Sequence, residues 1–464
     1  MSDEHRADVT GYEGNTVIRT PTLDWLAETG TVFRNAYTPS PICVPGRQCL
    51  MSGQLPKTVG CEGWVDLQPN HMTFARQLSR HAYETVSCGK LHHQGNDQMQ
   101  GWTQRPAGDV HIAKKHISNR SEADFQKYSR PLRKRSPISG WPNLVSDFKW
   151  SNAKEIKRAG VGLSPCITRD RFWTGSALHF IDDFFNSAYY DREQGQKPLV
   201  LKVSLLQPHY PYQTDHDKFT YYLNRVDPYL DQQVFPHPFL SQQQVHSGTD
   251  VSEREIRRAT AAYYGMIETI DNHYREVLDA LTHVGENLDE WVIVYTSDHG
   301  EMLGEHSIWE KQKFFEASVR VPLIIRFPER FEAQTIDQNV NLCDLFATLC
   351  HLADIPCPSG LDSRTLVPLM EGYTDNWTNE TVSQFGKTNL MIKQDHLKYQ
   401  NYGINEQEVL FDLHQDPSEN QNFIEDPEHM ETINWFRQRL SQLGHGPNAD
   451  PNYINAGYIS GVRA

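Results

Sequence analysis

Trp291-Val292-Ile293-Val294-Tyr295 runs directly into Thr296-Ser297-Asp298-His299-Gly300. A short apolar, β-branched run that ends in a polar cluster reads as a buried strand with chemistry at its carboxyl end. The same handover recurs along the chain. Glu84–Ser87 leads through Cys88 into Gly89-Lys90-Leu91-His92, and Pro198–Leu206 leads into Gln207-Pro208-His209. Val321–Phe327 is a fourth apolar run. Helical patterns lie between them, most clearly from Ser252 to Val284. There Ile256, Ala259, Tyr263, Met266, Ile270, Tyr274, Val277 and Leu281 step by three or four. Ser252 and Glu255 form a capping-box pattern, and Gly285 supplies the stop. Strands alternating with helices predict an α/β fold: a large, mostly parallel sheet flanked by helices.

The texture changes after about residue 370. Asn389–Ile392, Leu397–Tyr402 and Val409–Leu413 are short strand-like pieces, and a helix is expected over Pro427–Leu443. The division expected is therefore residues 1–370 as the main α/β domain and 371–464 as a smaller α+β subdomain. The 464 residues carry a net charge of −15, which argues against a nucleic-acid binder. No apolar run reaches the length of a membrane span. The eight cysteines contain no C-x-x-C pair, so a zinc ribbon or thioredoxin-type site is unsupported. No export signal is visible in the chain as written, and both an exported and a cytoplasmic compartment stay open.

Ser40-Pro41-Ile42-Cys43-Val44-Pro45-Gly46-Arg47-Gln48-Cys49-Leu50-Met51-Ser52-Gly53 carries the chemistry. Pro45 suits a first helical turn and Gly53 a helix stop. Cys43 then lies at a helix N-terminus, where an anion is favoured, with Arg47 one turn on. Alone, this reads as either an activated thiolate or a buried small hydrophobe. Cys43-x-Pro45-x-Arg47 also resembles the signature of the type I sulfatases, within the alkaline-phosphatase superfamily. Further clusters match that family in order: Gly89-Lys90-Leu91-His92, Pro208-His209-Tyr210-Pro211-Tyr212, Ser297 to His306, Trp309-Glu310-Lys311-Gln312, and Leu410-Phe411-Asp412-Leu413 with Asp416-Pro417. The resemblance covers nearly the whole chain.

The resemblance implies a sulfuric ester hydrolase in which Cys43 is converted to formylglycine by a formylglycine-generating enzyme. Its hydrate is the nucleophile, and its second hydroxyl later expels sulfate. Asp3, Cys43, Asp298 and His299 are the implied ligands of one divalent cation. That donor set suits Ca²⁺ first, with Mg²⁺ or Mn²⁺ as alternatives. Arg47 is implied to fix the nucleophile and balance the carboxylates, and Lys90 to contact nucleophile and sulfate. His92 is implied as the base that releases sulfate. His209 and Lys311 are implied to bind sulfate and protonate the leaving oxygen. Many family members carry Asp-Asp where this chain has Asp3-Glu4, and Glu4 is left outside the expected ligand set.

The partner expected is an anionic sulfate ester, with a sulfated sugar or polysaccharide first. Two features point there. Ile112–Arg135 carries eight basic residues against Glu122 and Asp124, a wall that attracts a polyanion. Trp141, Trp150 and Trp173 are candidate stacking surfaces. The alternatives are a phosphonate monoester or phosphodiester hydrolase, and a silent binding protein that keeps Cys43 unmodified. The family places an apolar strand directly before the aspartate, where this sequence has only Met1-Ser2. Crossing a sheet takes about five or six residues. The expectation is therefore that the first core strand is missing from the chain as written and that the native chain begins earlier.

Overall fold

The computed structural model describes residues 1–95, 97–109, 152–187, 197–230, 237, 244–403 and 407–446. Strands Gln104–Gly108, Glu84–Gly89 and Leu199–Ser204 lie side by side in that order, all parallel. A second group has the order Gln334–Ile336, Thr31–Phe33, Leu323–Arg326, Ile293–Thr296. Only Leu323–Arg326 runs against its neighbours. Residues 1–3 join the two groups. Ser2 bridges Ser297 and Asp3 bridges Pro208, both in the parallel sense. The result is the mostly parallel sheet that the strand–helix alternation predicts.

Only those three residues occupy the place where a longer strand was expected. Below Met1, the gap between Leu199–Ser204 and Ile293–Thr296 continues as an apolar groove of about 520 Å³, with Leu26, Phe74, Val200, Val277 and Leu345 among its walls. The segment around Asp3 is tied into the sheet on both sides. The Met1 ammonium donates to Val203 O at 2.9 Å, Leu205 N to Met1 O at 2.9 Å, and Ser2 N to Thr296 O at 3.1 Å. Ser2, Asp3 and Glu4 are fully buried. Asp3 thus stands at the carboxyl edge of the sheet, level with Asp298.

Alternation along the strands sends side chains to two apolar layers. Leu323 and Ile325 pack with Leu50, Phe74 and Phe346 on one face. Ile324 packs with Val86, Phe180, Ile181 and Ile270 on the other. Each such buried side chain contributes roughly 1.5–3 kcal/mol. The long helix spans Glu253–His283, its Ser252/Glu255 capping box is formed, and every apolar position predicted for it is buried. Gly285 beyond it adopts φ +93°, the left-handed geometry that a glycine stop supplies.

The C-terminal sheet has four antiparallel strands: Glu380–Phe385, Asn389–Gln394, Leu397–Tyr402 and Gln407–Asp412. The first escaped the sequence reading because Glu380-Thr-Val-Ser-Gln-Phe385 carries little apolar signal. One face meets the helix Met430–Gln442, with Tyr399 stacked on Phe436 at 5.3 Å. That helix follows a separate short turn at Pro427–His429, so it starts later than expected. The other face packs Met391, Val409 and Phe411 against Met302, Phe314 and Phe315 of the main domain. Between the two domains, Lys398 is buried and bonded to both Glu316, at 2.9 Å, and Glu419.

Candidate active site

The helix after Ile42 runs Cys43–Ser52, with Pro45 in its first turn, and all its residues are buried. Gly53 ends it at φ +65°, donating its N–H to Cys49 O at 2.8 Å. Gly46 allows the helix start to press on the end of the Ile293–Thr296 strand. A Cβ there would lie 2.9 Å from Ser40 O and 3.2 Å from Asp298 O. Cys43 is thereby set against Asp298 and His299. Gly89 does the same for Lys90. It holds φ +107°, and a Cβ would sit 2.0 Å from Ser204 O, so only glycine lets Lys90 N reach that oxygen at 2.8 Å.

Arg47 is the hub. Its Nε donates to Asp298 Oδ2 at 2.7 Å and its Nη2 to Asp3 Oδ2 at 2.9 Å. Its Nη1 donates to Lys90 O at 2.8 Å and Ser204 Oγ at 2.9 Å. The planar fork therefore ties Asp3 to the ends of the strands Glu84–Gly89, Leu199–Ser204 and Ile293–Thr296. With Oδ2 of each carboxylate engaged, Asp3 Oδ1 faces Cys43 Sγ at 3.8 Å and Asp298 Oδ1 faces His299 Nε2 at 3.8 Å. Cys43 Sγ and His299 Nε2 are 3.2 Å apart. His299 Nδ1 donates to Gly300 O at 2.9 Å, which leaves Nε2 as the lone-pair nitrogen.

One donor atom from each of Asp3, Cys43, Asp298 and His299 lies within 4.8 Å of the other three, and all four residues are buried. Two carboxylate oxygens, one imidazole and the residue-43 side chain fit a hard divalent cation. Burial alone would raise Asp3, but Lys90 and Arg47 outweigh it and hold the carboxyl well below its ordinary range. Lys90 Nζ contacts Asp3 directly. For Cys43 the balance goes the other way. Burial, with Asp3 adding, pushes the thiol up to about 12. An activated thiolate at neutral pH is thus disfavoured, and the cysteine itself is a poor nucleophile here.

A second cluster forms around Glu4. Lys311 Nζ donates to Glu4 Oε2 at 2.8 Å, and His209 Nε2 lies 3.6 Å from the same oxygen. His209 Nδ1 donates to Tyr210 O at 2.7 Å, and its ring lies 4.2 Å from that of Tyr210. Lys311 sits 5.4 Å from the Tyr210 ring centroid. Burial, with Lys311 adding, keeps His209 well below the ordinary histidine range.

The residues expected from the sequence thus divide into two neighbouring groups. Asp3, Cys43, Arg47, Lys90, Asp298 and His299 make one, and His209 and Lys311 the other. His92 follows two residues after Lys90 at φ +60°, its N–H held by Asp109 at 2.5 Å and its ring edge-on to Trp64 at 5.3 Å. Trp173 is no stacking surface: it is buried and donates Nε1 to Gly108 O at 3.1 Å. Trp141, Trp150 and the basic segment 112–135 lie outside the described residues. Sequence reasoning missed Glu4 as a partner of Lys311, and also Ser204, Tyr263 and Trp64. Only Glu4 carried a signal, its place beside Asp3.

The sulfatase family model matches residues 1–355. A second model, N-sulphoglucosamine sulphohydrolase, C-terminal, matches residues 304–445. The chain is 28% identical to an arylsulfatase of Clostridium perfringens, over 99% of this chain and 96% of that one. It is 31% identical to a choline-sulfatase of Rhizobium meliloti, over 88% and 78% respectively. In fold it is similar to a phosphonate monoester hydrolase of Agrobacterium radiobacter, with a TM-score of 0.73 at 20% identity, covering 95% of this chain and 93% of that one. A structure solved with its substrate D-glucosamine-2-N,6-O-disulfate gives 0.72 at 17% identity, covering 98% of each chain.

Proposed function

The chain belongs to the sulfatase family and is a sulfuric ester hydrolase, and on that premise we propose that it cleaves sulfated sugars with Cys43, converted to formylglycine, as nucleophile beside one divalent cation. The observation that carries this reading is the convergence of Asp3, Cys43, Asp298 and His299 within 4.8 Å. The buried thiol, pushed up to about 12, fits it too, because burial disfavours the thiolate of an unmodified Cys43. The aldehyde hydrate supplies an attacking hydroxyl and a second one to expel sulfate. Asp3, Asp298 and His299 would hold the cation, Ca²⁺ first, and when bound it supplies Lewis-acid stabilisation of charge on the sulfuryl oxygens.

The chain's own residues do the rest. Arg47 locks both carboxylates by the two bonds described, so the donor oxygens hold their direction without reorganisation. Lys90 neutralises Asp3 and leaves a positive edge for the anionic ester. Lys311 and His209 stand on the far side, where the alcohol oxygen departs and needs a proton. His92 takes up a proton as sulfate is released. Trp64, half exposed and edge-on to His92, offers the apolar face that stacks on a pyranose ring. A sulfated sugar, D-glucosamine-2-N,6-O-disulfate, is also the substrate bound in the complex of similar fold.

Two measurements test the reading. The peptide containing Cys43 from active protein should be lighter by roughly 18 Da than its unmodified form. Full activity with an intact thiol would sink the mechanism. A panel of sulfated mono- and oligosaccharides, read by ion chromatography of released sulfate, tests the substrate class. An aryl phosphonate ester run beside an aryl sulfate separates the two superfamily activities.

A further inference from the structure

We infer that Glu4 is a positioning residue: its carboxyl fixes Lys311 and His209 at the departing oxygen, and it is not a ligand of the cation. The inference rests on the sulfate-ester mechanism proposed above. The four donor atoms of the cation site converge without Glu4, whose carboxylate groups instead with Asp3 and His209, also within 4.8 Å, so metal content of Glu4 variants is the deciding readout. Glu4 holds φ +68°, a left-handed conformation that is unfavourable for a residue with a side chain. Two bonds keep it there: Glu4 N donates to Asp298 Oδ1 at 3.2 Å, and Tyr263 Oη donates to Glu4 O at 2.7 Å. In this conformation Glu4 Oε2 accepts from Lys311 Nζ at 2.8 Å.

A lysine has a long, flexible stem, and ordering it costs rotamer entropy. An acceptor already in place removes that cost before the ester arrives. His209 is held at Nδ1 by Tyr210 O at 2.7 Å, which aims Nε2 toward Glu4 Oε2, 3.6 Å away. In the step they serve, the bond between sulfur and the alcohol oxygen breaks as sulfur bonds to the nucleophilic oxygen. The alcohol oxygen keeps the electron pair and takes a proton from Lys311, or from His209 once the bound anion favours a proton on Nε2. Proton delivery requires hydrogen-bond reach, so a misplaced donor harms poor leaving groups most.

The test uses Glu4→Ala and Glu4→Gln in the metal-loaded protein. Metal per chain, kcat on an alkyl or sugar sulfate, and kcat on 4-nitrophenyl sulfate are compared with wild type. Both variants should retain the metal. Glu4→Ala should lose roughly 10–100-fold on the alkyl sulfate and less than about threefold on the nitrophenyl ester. Glu4→Gln, which keeps an oxygen acceptor, should recover most of the alkyl loss. Metal loss from both variants would make Glu4 a ligand. Equal losses on both esters, or no loss, would also overturn the inference. Should wild type hydrolyse no sulfate ester, the mechanism fails by itself. A crystal structure of Glu4→Ala still decides the positioning role, supported by a displaced or disordered Lys311 side chain and overturned by an unmoved one.

Discussion

Asp3 and Glu4 are consecutive carboxyl groups, both fully buried, and the site drives them apart. Asp3 faces Arg47 and Lys90, and the two cations outweigh burial to hold its carboxyl low. Glu4 faces Lys311 with Glu301 close by, and burial prevails, pushing it up to about 8. Desolvation penalises both alike, so the count of cations within reach decides the outcome. One strand end therefore feeds two functional centres, the cation side through residue 3 and the leaving-group side through residue 4.

The strongest way to break this division is at the nucleophile. Cys43→Ala should abolish turnover, with a loss of at least about 10⁴-fold on any ester, since no other group on either side can attack. Cys49→Ala, one and a half turns on in the core facing the C-terminal sheet, should cost some thermal stability and leave the turnover of correctly modified protein within about twofold. Steady-state kinetics on protein of known aldehyde content checks both. Comparable losses would show that the helix start, and not the residue-43 group, is what matters.

The cation side comes next. Asp298→Ala should cost on the order of 10³-fold, and it should do so evenly across leaving groups because charge stabilisation is lost for all of them. Exhaustive chelation should reproduce that loss, and re-addition of Ca²⁺, Mg²⁺ or Mn²⁺ should reverse it in wild type but not in the variant. Activity that survives metal removal would end the assignment of Asp3, Asp298 and His299 as ligands.

Much of this side was legible in the sequence. Ile293–Thr296 and Leu199–Ser204 announce themselves as apolar runs closed by polar clusters, and strand-end chemistry follows from parallel topology. Pro45 and Gly53 bracket the nucleophile's helix for reasons of backbone geometry alone. The Glu4 side was not legible, because φ +68° at a glutamate has no sequence signal. Without that twist, the sequence leaves Glu4 outside the ligand set and gives it no other role. The strand Glu380–Phe385 was hidden for a different reason: its stability comes from full pairing with Asn389–Gln394 and not from its own apolar content. Trp173 shows the converse error, in which a residue type suggests stacking and the core claims it.

The leaving-group side should show itself by selectivity. His209→Ala is expected to lower kcat on alkyl and sugar sulfates by roughly 10²-fold and on activated aryl sulfates by only a few-fold, since a nitrophenolate needs no proton. The plot of log kcat against leaving-group pKa should therefore steepen. Parallel lines for variant and wild type would mean that His209 holds the sulfate group and does not serve the departing oxygen. The two centres would then be less separate than the geometry implies.

The smallest effect, and the most direct probe of the two adjacent carboxyls, is in the stability of metal-free protein. Glu4 titrates at about 8 when folded against an ordinary value of 4.5. Between those values the unfolded chain has released the proton that the folded one keeps. Its contribution is fully present below pH 4.5 and is lost as pH rises through 8. Asp3 has the opposite sign. Its contribution is present above the ordinary carboxylate value and is lost as pH falls through its depressed one. Glu4→Gln removes the first dependence and leaves the second. In urea titrations the variant should match wild type near pH 4.5 and gain on it by up to about 3 kcal/mol at pH 7, since one unit is worth about 1.4 kcal/mol. Added divalent cation should shrink the gap, because a positive charge beside Asp3 also favours the ionised Glu4. A gap that stays constant with pH would mean that Lys311 alone keeps Glu4 ionised throughout, so that both carboxyls belong to one electrostatic regime.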